Sequence, residues 1–357
     1  MSVGTCDTKG TNFPMTLPIA GFKDVYDVAQ VDRALQELPS SANEALKTTY
    51  EKMLKTGGTR LTVKPSGLPA MDKLYEELPN FGEVLDDIRK QLALCTSSND
   101  ALELMPMLLL GEPGIGKTHF GKRVAGMLGT GFGFVSMSSM TAGWILSGSS
   151  SQWKNAKPGK VFDSFLHGTY ANPVMMIDEI DKAGGDSQFD ALGPLYSLLE
   201  HDTASHFIDE FVDIPLDASS MLWIATANDS SRIPEPILNR MNVYEIEPPD
   251  HDGAMRIAQS IYTEIRGAHQ WGLRFPEVLE AGVLEKLAEL GPREMRRVIL
   301  NAFGNAKLAG RDEVREADGW TRATARKNSA SVSRTIGWKP LPVAGFQPIN
   351  QRNQGAV

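Results

Sequence analysis

GEPGIGKTHFGKRVAGM, residues 111 to 127, follows the apolar run MPMLLL, Met105 to Leu110. Gly111, Glu112, Pro113, Gly114, Ile115, Gly116, Lys117 and Thr118 fit G-x-x-x-x-G-K-[S/T] at every position. An apolar strand before the motif and a helical pattern after it complete the expected context. Glycines allow successive backbone N–H groups to point inward at phosphate oxygens. The helix N-terminus adds positive dipole at the same place. Lys117 can reach the β and γ phosphates of a nucleotide, and the Thr118 hydroxyl can hold Mg²⁺. The alternative, a glycine-rich turn ending in a solvated lysine, does not account for the strand and helix on either side.

Further along, PVMMIDEIDK (residues 173 to 182) reads as an apolar strand ending in Asp178 and Glu179. Ligands of open α/β sheets bind beyond the carboxyl ends of the strands. There Asp178 can order Mg²⁺, directly or through water, and Glu179 can polarise an attacking water. A pair of acids capping the next helix is the plainer reading, and the phosphate loop upstream weakens it. SMLWIATAN ends in Asn228, whose amide can orient water or touch a γ-phosphate. IPEPILNRM places Arg240 after an apolar helical turn, where it can project into the nucleotide of a neighbouring subunit. GPREMRRVI opens a helix, and Arg293 at its start can reach back to the γ-phosphate across a cleft, better placed than Arg296 or Arg297. Each arginine alone reads as a surface charge; the order of the whole set argues otherwise.

The rest of the chain narrows the class. Its 357 residues suggest two or three domains, with 41% hydrophobic and 22% charged residues as in an ordinary globular protein. The formal net charge of -8 argues against a surface wholly devoted to nucleic acid. Cys6 and Cys95 are too far apart in sequence to suggest a disulfide framework or a cysteine metal site. The histidines show no zinc spacing. The start has no signal-peptide core and no apolar run is long enough to span a bilayer, so a cytoplasmic protein without a membrane segment is expected.

Residues 1–70 read as a partly helical extension, helical from about Val25 to Leu54, with GGTRLTVKPSGLP as a linker holding a short extended piece. Residues 71–249 alternate apolar runs (MPMLLL, GFGFVSMS, PVMMID, SMLWIATAN, VYEIE) with helical segments, which implies an α/β fold with a parallel sheet and crossover helices. Residues 250–318 show helical period only and read as a small helical lid domain. Residues 319–357 carry several bases (Arg322, Arg326, Lys327, Arg334, Lys339, Arg352) and no acid, and read as an extended or disordered basic tail. That tail, with Trp338 and KPLPVAGFQP, suits a docking peptide, a phosphate-binding segment or a merely solvated end.

In order and spacing these motifs resemble those of the AAA+ ATPases. GEPGIGKTHFGKRVA, IDEIDK, FVDIPLDASSMLWIATANDSSRIPEPILNRMNVYEI and GPREMRRVI look like the ATPase module of Lon-type proteases, from about Asn80 to about Leu308. The resemblance implies a P-loop core with a helical lid after it and Mg²⁺-dependent ATP hydrolysis. It implies Walker A for Gly111 to Thr118 and Walker B for Asp178 and Glu179. It also implies sensor 1 for Asn228, the arginine finger for Arg240 and sensor 2 for Arg293. Phe81 and Gly82 of PNFGEVLDDIRK fall where the family places residues near the adenine. A ring homo-oligomer, a hexamer in the family, is implied too. Trp153 and Lys154, before AKPGK, stand where Lon-like proteins carry an aromatic–aliphatic pore loop that grips extended polypeptide. An aromatic there can grip many sequences; the plainer reading packs Trp153 against the next helix. Two departures are Asn239, where the family usually has Asp, and Lys154 in place of an aliphatic residue. The segment after the helical region is too short for the family's Ser–Lys peptidase domain, and the long amino-terminal substrate domain is lacking, so no intrinsic protease is expected.

Three functions stay open on these residues. One is an ATP-driven remodeller of an unknown protein partner. The second is a nucleic-acid motor or clamp loader, which Lys154, Lys157 and Lys160 near Trp153 keep open. The third is a non-catalytic nucleotide switch or scaffold, against which the retention of Glu179, Asn228 and Arg240 speaks.

Overall fold

The computed structural model describes residues 19–64, 68, 71–98, 100–139, 143–183 and 190–319. The basic tail beyond residue 319, with Trp338, lies outside the described residues, as do residues 1–18.

The strands are β1 (Ile19–Asp24), β2 (Thr59–Val63), β3 (Met107–Leu110), β4 (Phe132–Ser136), β5 (Val174–Asp178), β6 (Phe207–Ile208), β7 (Pro215–Leu216), β8 (Leu222–Ala227) and β9 (Asn242–Glu245). The helices before the lid are α1 (Val28–Glu37), α2 (Glu44–Thr56), α3 (Asp72–Glu77), α4 (Gly82–Thr96), α5 (Lys117–Leu128), α6 (Trp144–Ser147), α7 (Lys160–His167), α8 (Leu195–Leu198), α9 (His201–Ala204) and α10 (Glu235–Leu238). The lid holds α11 (His251–Ala268), α12 (Ala281–Ala288), α13 (Pro292–Leu308) and α14 (Glu316–Gly319).

The central sheet runs β4-β5-β8-β3-β9, and every pair in it is parallel. Parallel strands are covered on both faces, so they read as continuous apolar runs. LWIATA of β8 is buried throughout. The register sets Met107 opposite Ile224 on one side and Asn242 on the other. It thereby brings the carboxyl ends of β3, β5 and β8, and the residues just beyond them, to one rim. The expected α/β class with a helical lid is the architecture found.

The amino-terminal segment departs from the expectation of an extension joined by a linker. The stretch expected to be a linker contains β2, which pairs antiparallel with β1. Leu61 N–H donates to Thr169 O at 3.0 Å and Ala171 N–H to Leu61 O at 2.8 Å, while the Asn172 side chain donates to Val63 O at 2.8 Å. Val25, Tyr26, Val31, Leu46, Tyr50 and Met53 share one buried cluster with Phe162, Phe165 and Trp223 of the α/β domain. Residues 19–63 are therefore part of that domain's core. The short extended piece expected there is β2; its pairing makes it part of the fold rather than a linker. The expected single helical stretch is also divided, with Asn43 capping α2 through a bond from Ala45 N–H.

The lid has its own core, in which Tyr262 stacks on Phe303 at 5.0 Å and Phe275 meets Phe303 edge-on at 4.7 Å. None of the described helices is long and apolar enough to cross a membrane.

Candidate functional site

The loop between β3 and α5 takes its shape from two glycines. Gly114 and Gly116 have φ of 88° and 107°, a region closed to most side chains. The loop ends on the first turn of α5, whose N–H groups have no helical partners. Lys117 is 7% exposed, and its Nζ donates to Gly111 O at 2.5 Å, Glu112 O at 3.0 Å and Asn228 Oδ1 at 2.9 Å. Burial pushes the ammonium pKa down, and the negative charges of Asp181, Asp178 and Glu179 oppose that shift. An anionic group entering the loop would restore the balance for the charged form.

Thr118 Oγ1 donates to Asp178 Oδ1 at 2.8 Å, so the two expected Mg²⁺ ligands already touch. A second hydroxyl, Thr226 Oγ1, donates to the same Asp178 oxygen at 2.8 Å. Thr226 in turn accepts from Glu179 N–H at 2.9 Å. Glu179 has φ of 56°, an uncommon conformation for a glutamate, held by that bond as the chain leaves β5. Two protein oxygen ligands suit Mg²⁺, which usually keeps several waters and takes the remainder of its shell from phosphates.

These groups open into a cleft of about 320 Å³ between the α/β domain and the lid. Asn80 and Leu78 line one wall; Ile257, Ser260, Ile261 and Glu264 of α11 and Arg293 and Arg296 of α13 line the other. Asn80 Nδ2 donates to Glu247 O at 3.1 Å, which orients the amide, and its buried Oδ1 has no partner among the described residues. Such an acceptor fits a donor edge such as an exocyclic amine. Arg293 sits over the loop, its Cβ within 3.8 Å of the place a Gly114 side chain would start. Arg296 is held differently, by two bonds to Glu264 at 3.0 and 3.1 Å. Arg293 has no carboxylate partner among the described residues, so it is the arginine left to meet a ligand.

Phe81 and Gly82 sit behind the cleft wall. Phe81 is 1% exposed and stacks on Phe120 at 4.7 Å, inside the core beneath the loop. Neither it nor Gly82 lines the cleft; Leu78 and Asn80, just before them, do. The apolar side chain of Phe81 supports the loop from below, 3.7 Å from where a Cβ on Gly116 would lie.

Residues 107–248 match the family model described as ATPase family associated with various cellular activities, AAA. That match runs from β3 to β9 and takes in the loop from Gly111 to Thr118. Two mitochondrial Lon protease homologues are similar to the chain. One, from Schizosaccharomyces pombe, is 40% identical over 140 residues, 39% of this chain and 13% of that protein. The other, from Emericella nidulans, is 30% identical over 243 residues, 66% of this chain and 22% of that protein. The chain thus spans less than a quarter of the length of these curated relatives. Among solved structures, a closed state of Hsp104 with ATPγS and FITC casein has a TM-score of 0.56 at 16% identity, covering 77% of this chain and 49% of that one. At that identity the likeness is one of fold.

Two of the expected site residues lie away from the cleft. Arg240 Nε is 2.7 Å from Glu200 Oε1, its Nη1 donates to Pro236 O at 2.5 Å, and its guanidinium lies 6.0 Å from the centre of the Tyr196 ring. It borders a separate hollow with Glu103 and His201 and does not line the cleft beneath the lid. Trp153 is 50% exposed and meets Trp144 edge-on at 5.8 Å, so it is not packed away against the next helix. Lys154 beside it is exposed.

Sequence reasoning missed Thr226, Asn80, Trp144 and Asp209. Thr226 had a signal: it is the one polar side chain within the wholly buried run LWIATA, at its carboxyl end. The others gave none, because their roles depend on partners distant in sequence.

Proposed function

We propose that the chain hydrolyses ATP with Mg²⁺ as one subunit of a cyclic homo-oligomer and uses the cycle to remodel or translocate a protein partner. The observation that carries the first part is one cleft rim on which Lys117 bonds to Asn228, Thr118 bonds to Asp178, and Glu179 stands beside them, its N–H held by Thr226. Glycine-loop N–H groups and Lys117 would bind the phosphates. Thr118 and Asp178 would hold Mg²⁺, which when bound neutralises charge on the phosphate oxygens. Glu179 would take the water proton, and Asn228 would orient water or the γ-phosphate. Arg293 would meet the γ-phosphate from the lid, tying lid position to nucleotide state.

Arg240 supports the oligomer. An arginine that serves a nucleotide yet cannot reach its own cleft needs a head-to-tail neighbour, and such contacts close into rings. By resemblance the ring is a hexamer. The half-exposed Trp153 supports contact with polypeptide.

The test is phosphate release together with nucleotide binding. Lys117→Ala is expected to lose most ATP affinity, and Glu179→Gln to keep ATP and lose turnover. Turnover by Glu179→Gln at the parent rate would remove Glu179 from its role.

A further inference from the structure

The loop from Ser149 to Gly159 is closed at its base. Ser149 N–H donates to Lys157 O and Lys157 N–H to Ser149 Oγ, each at 3.0 Å. Asp209 holds the end of the loop through Gly159 N–H, and Asn43 Nδ2 donates to Ser151 O at 3.1 Å. Ala156 is buried, and Asn155 turns the chain with φ of 68°. On this fixed base stand two large aromatic rings, Trp153 from the loop and Trp144 from α6, 50% and 37% exposed and nearly perpendicular to each other. Grouped apolar exposure of this kind marks an interaction surface, and aromatic rings offer large contact area at small entropic cost.

The loop itself carries charge of one sign. Lys154 and Lys157 are exposed and have no carboxylate partner among the described residues, whereas Lys160 lies 3.6 Å from Asp163. No acid interrupts the sequence from Ser149 to Lys160.

We propose that Trp144, Trp153, Lys154 and Lys157 form a docking surface for an extended, acidic polypeptide segment. The rings take apolar side chains and the lysines take carboxylates. This rests on the reading of the Trp153 loop as the one that contacts a protein partner; the second ring and the acidic preference are added to it. Polynucleotide fits less well. Sites for it neutralise several phosphates, and here two unpaired lysines stand on a chain of net charge -8.

The test uses the full chain with ATPγS and three fluorescent unstructured peptides of equal length. One carries Asp and Glu among Leu and Phe, one has Asn and Gln in their place, and one has Lys. Fluorescence anisotropy reads the Kd. The acidic peptide should bind about fivefold tighter than the amide peptide, as befits exposed charge pairs. Lys154→Glu should abolish that preference. Trp144→Ala should weaken the acidic and amide peptides alike by about tenfold, as at an aromatic anchor, and Trp144→Phe should retain most of the affinity. A melting curve of each variant confirms folding. Equal affinity for the acidic and amide peptides, with Trp153→Ala abolishing both, overturns the acidic preference alone. Peptide binding untouched by Trp144→Ala removes the second ring. If no peptide binds, or if a single-stranded oligonucleotide binds tighter than the acidic peptide, both this assignment and the polypeptide reading of the loop fall.

Discussion

Asp209 Oδ2 accepts a hydrogen bond from Gly159 N–H at 2.7 Å, joining the β6–β7 hairpin to the end of the Trp153 loop. The other oxygen accepts from Phe211 N–H at 2.9 Å. Fit is close here: a Cβ on Gly148, whose φ is 79°, would lie 2.3 Å from Asp209 Oδ1. Burial of the carboxyl pushes its pKa up from 3.8 to about 7, against the backbone bonds, which favour the ionised form.

That shift has a definite sign. A carboxyl with a raised folded-state pKa holds its proton better in the folded chain than in the unfolded one. Its stabilising contribution is complete below 3.8 and is lost as pH rises toward about 7. Melting curves from about pH 5 to about pH 8 should show the parent chain losing stability relative to Asp209→Asn, which cannot ionise. Parallel curves across that range would show that Asp209 does not titrate there.

The amino-terminal helices are fastened to the same hairpin. Tyr50 Oη donates to Val212 O at 2.6 Å, and both groups are buried. Tyr50→Phe leaves the carbonyl unpaired, a loss of about 1–3 kcal/mol. The urea midpoint should fall accordingly. A midpoint unchanged from the parent would mean that water or relaxation restores the bond.

Thr226 links the acid expected at Mg²⁺ to the backbone of the acid expected at the water. Thr226→Val keeps the shape and removes both bonds. ATP affinity should change little, while phosphate release should slow by about tenfold, in line with loss of the bond that holds Glu179. Equal turnover would show that Glu179 keeps its conformation without that support.

The proposed role of Arg240 across a subunit boundary has a direct test. Arg240→Ala should bind ATP nearly normally and hydrolyse it about 10³- to 10⁵-fold more slowly, the range for an arginine supplied in trans. Mixing Arg240→Ala with Glu179→Gln should restore part of the activity, since some interfaces then hold both intact groups. If mixed assemblies form and no activity returns, the trans role passes to Arg232, which lies 3.3 Å from Asp229 in this chain.

The parts legible from sequence alone are those whose cause is local. The loop between β3 and α5 depends on Gly114 and Gly116 adopting positive φ between a strand and a helix, and those residues declare its shape. The buried strands declare themselves by unbroken apolar runs, and Asp178 and Asn228 by their places at or just past the strand ends. Tertiary structure alone decided the remainder. The extended piece Thr59–Val63 is fastened to the α/β domain by Thr169 and Ala171, and Phe81 stacks on Phe120 in the core. Asn43 and Asp209 meet the Trp153 loop only in the folded chain, and Trp144 meets Trp153 across its base. Arg240 stands apart from its own cleft for the same reason: the direction of a side chain at the end of a short helix is set by what packs around it, here Glu200 and Tyr196. Backbone preference acts over a few residues, whereas burial and hydrogen-bond pairing act between residues that folding alone makes neighbours.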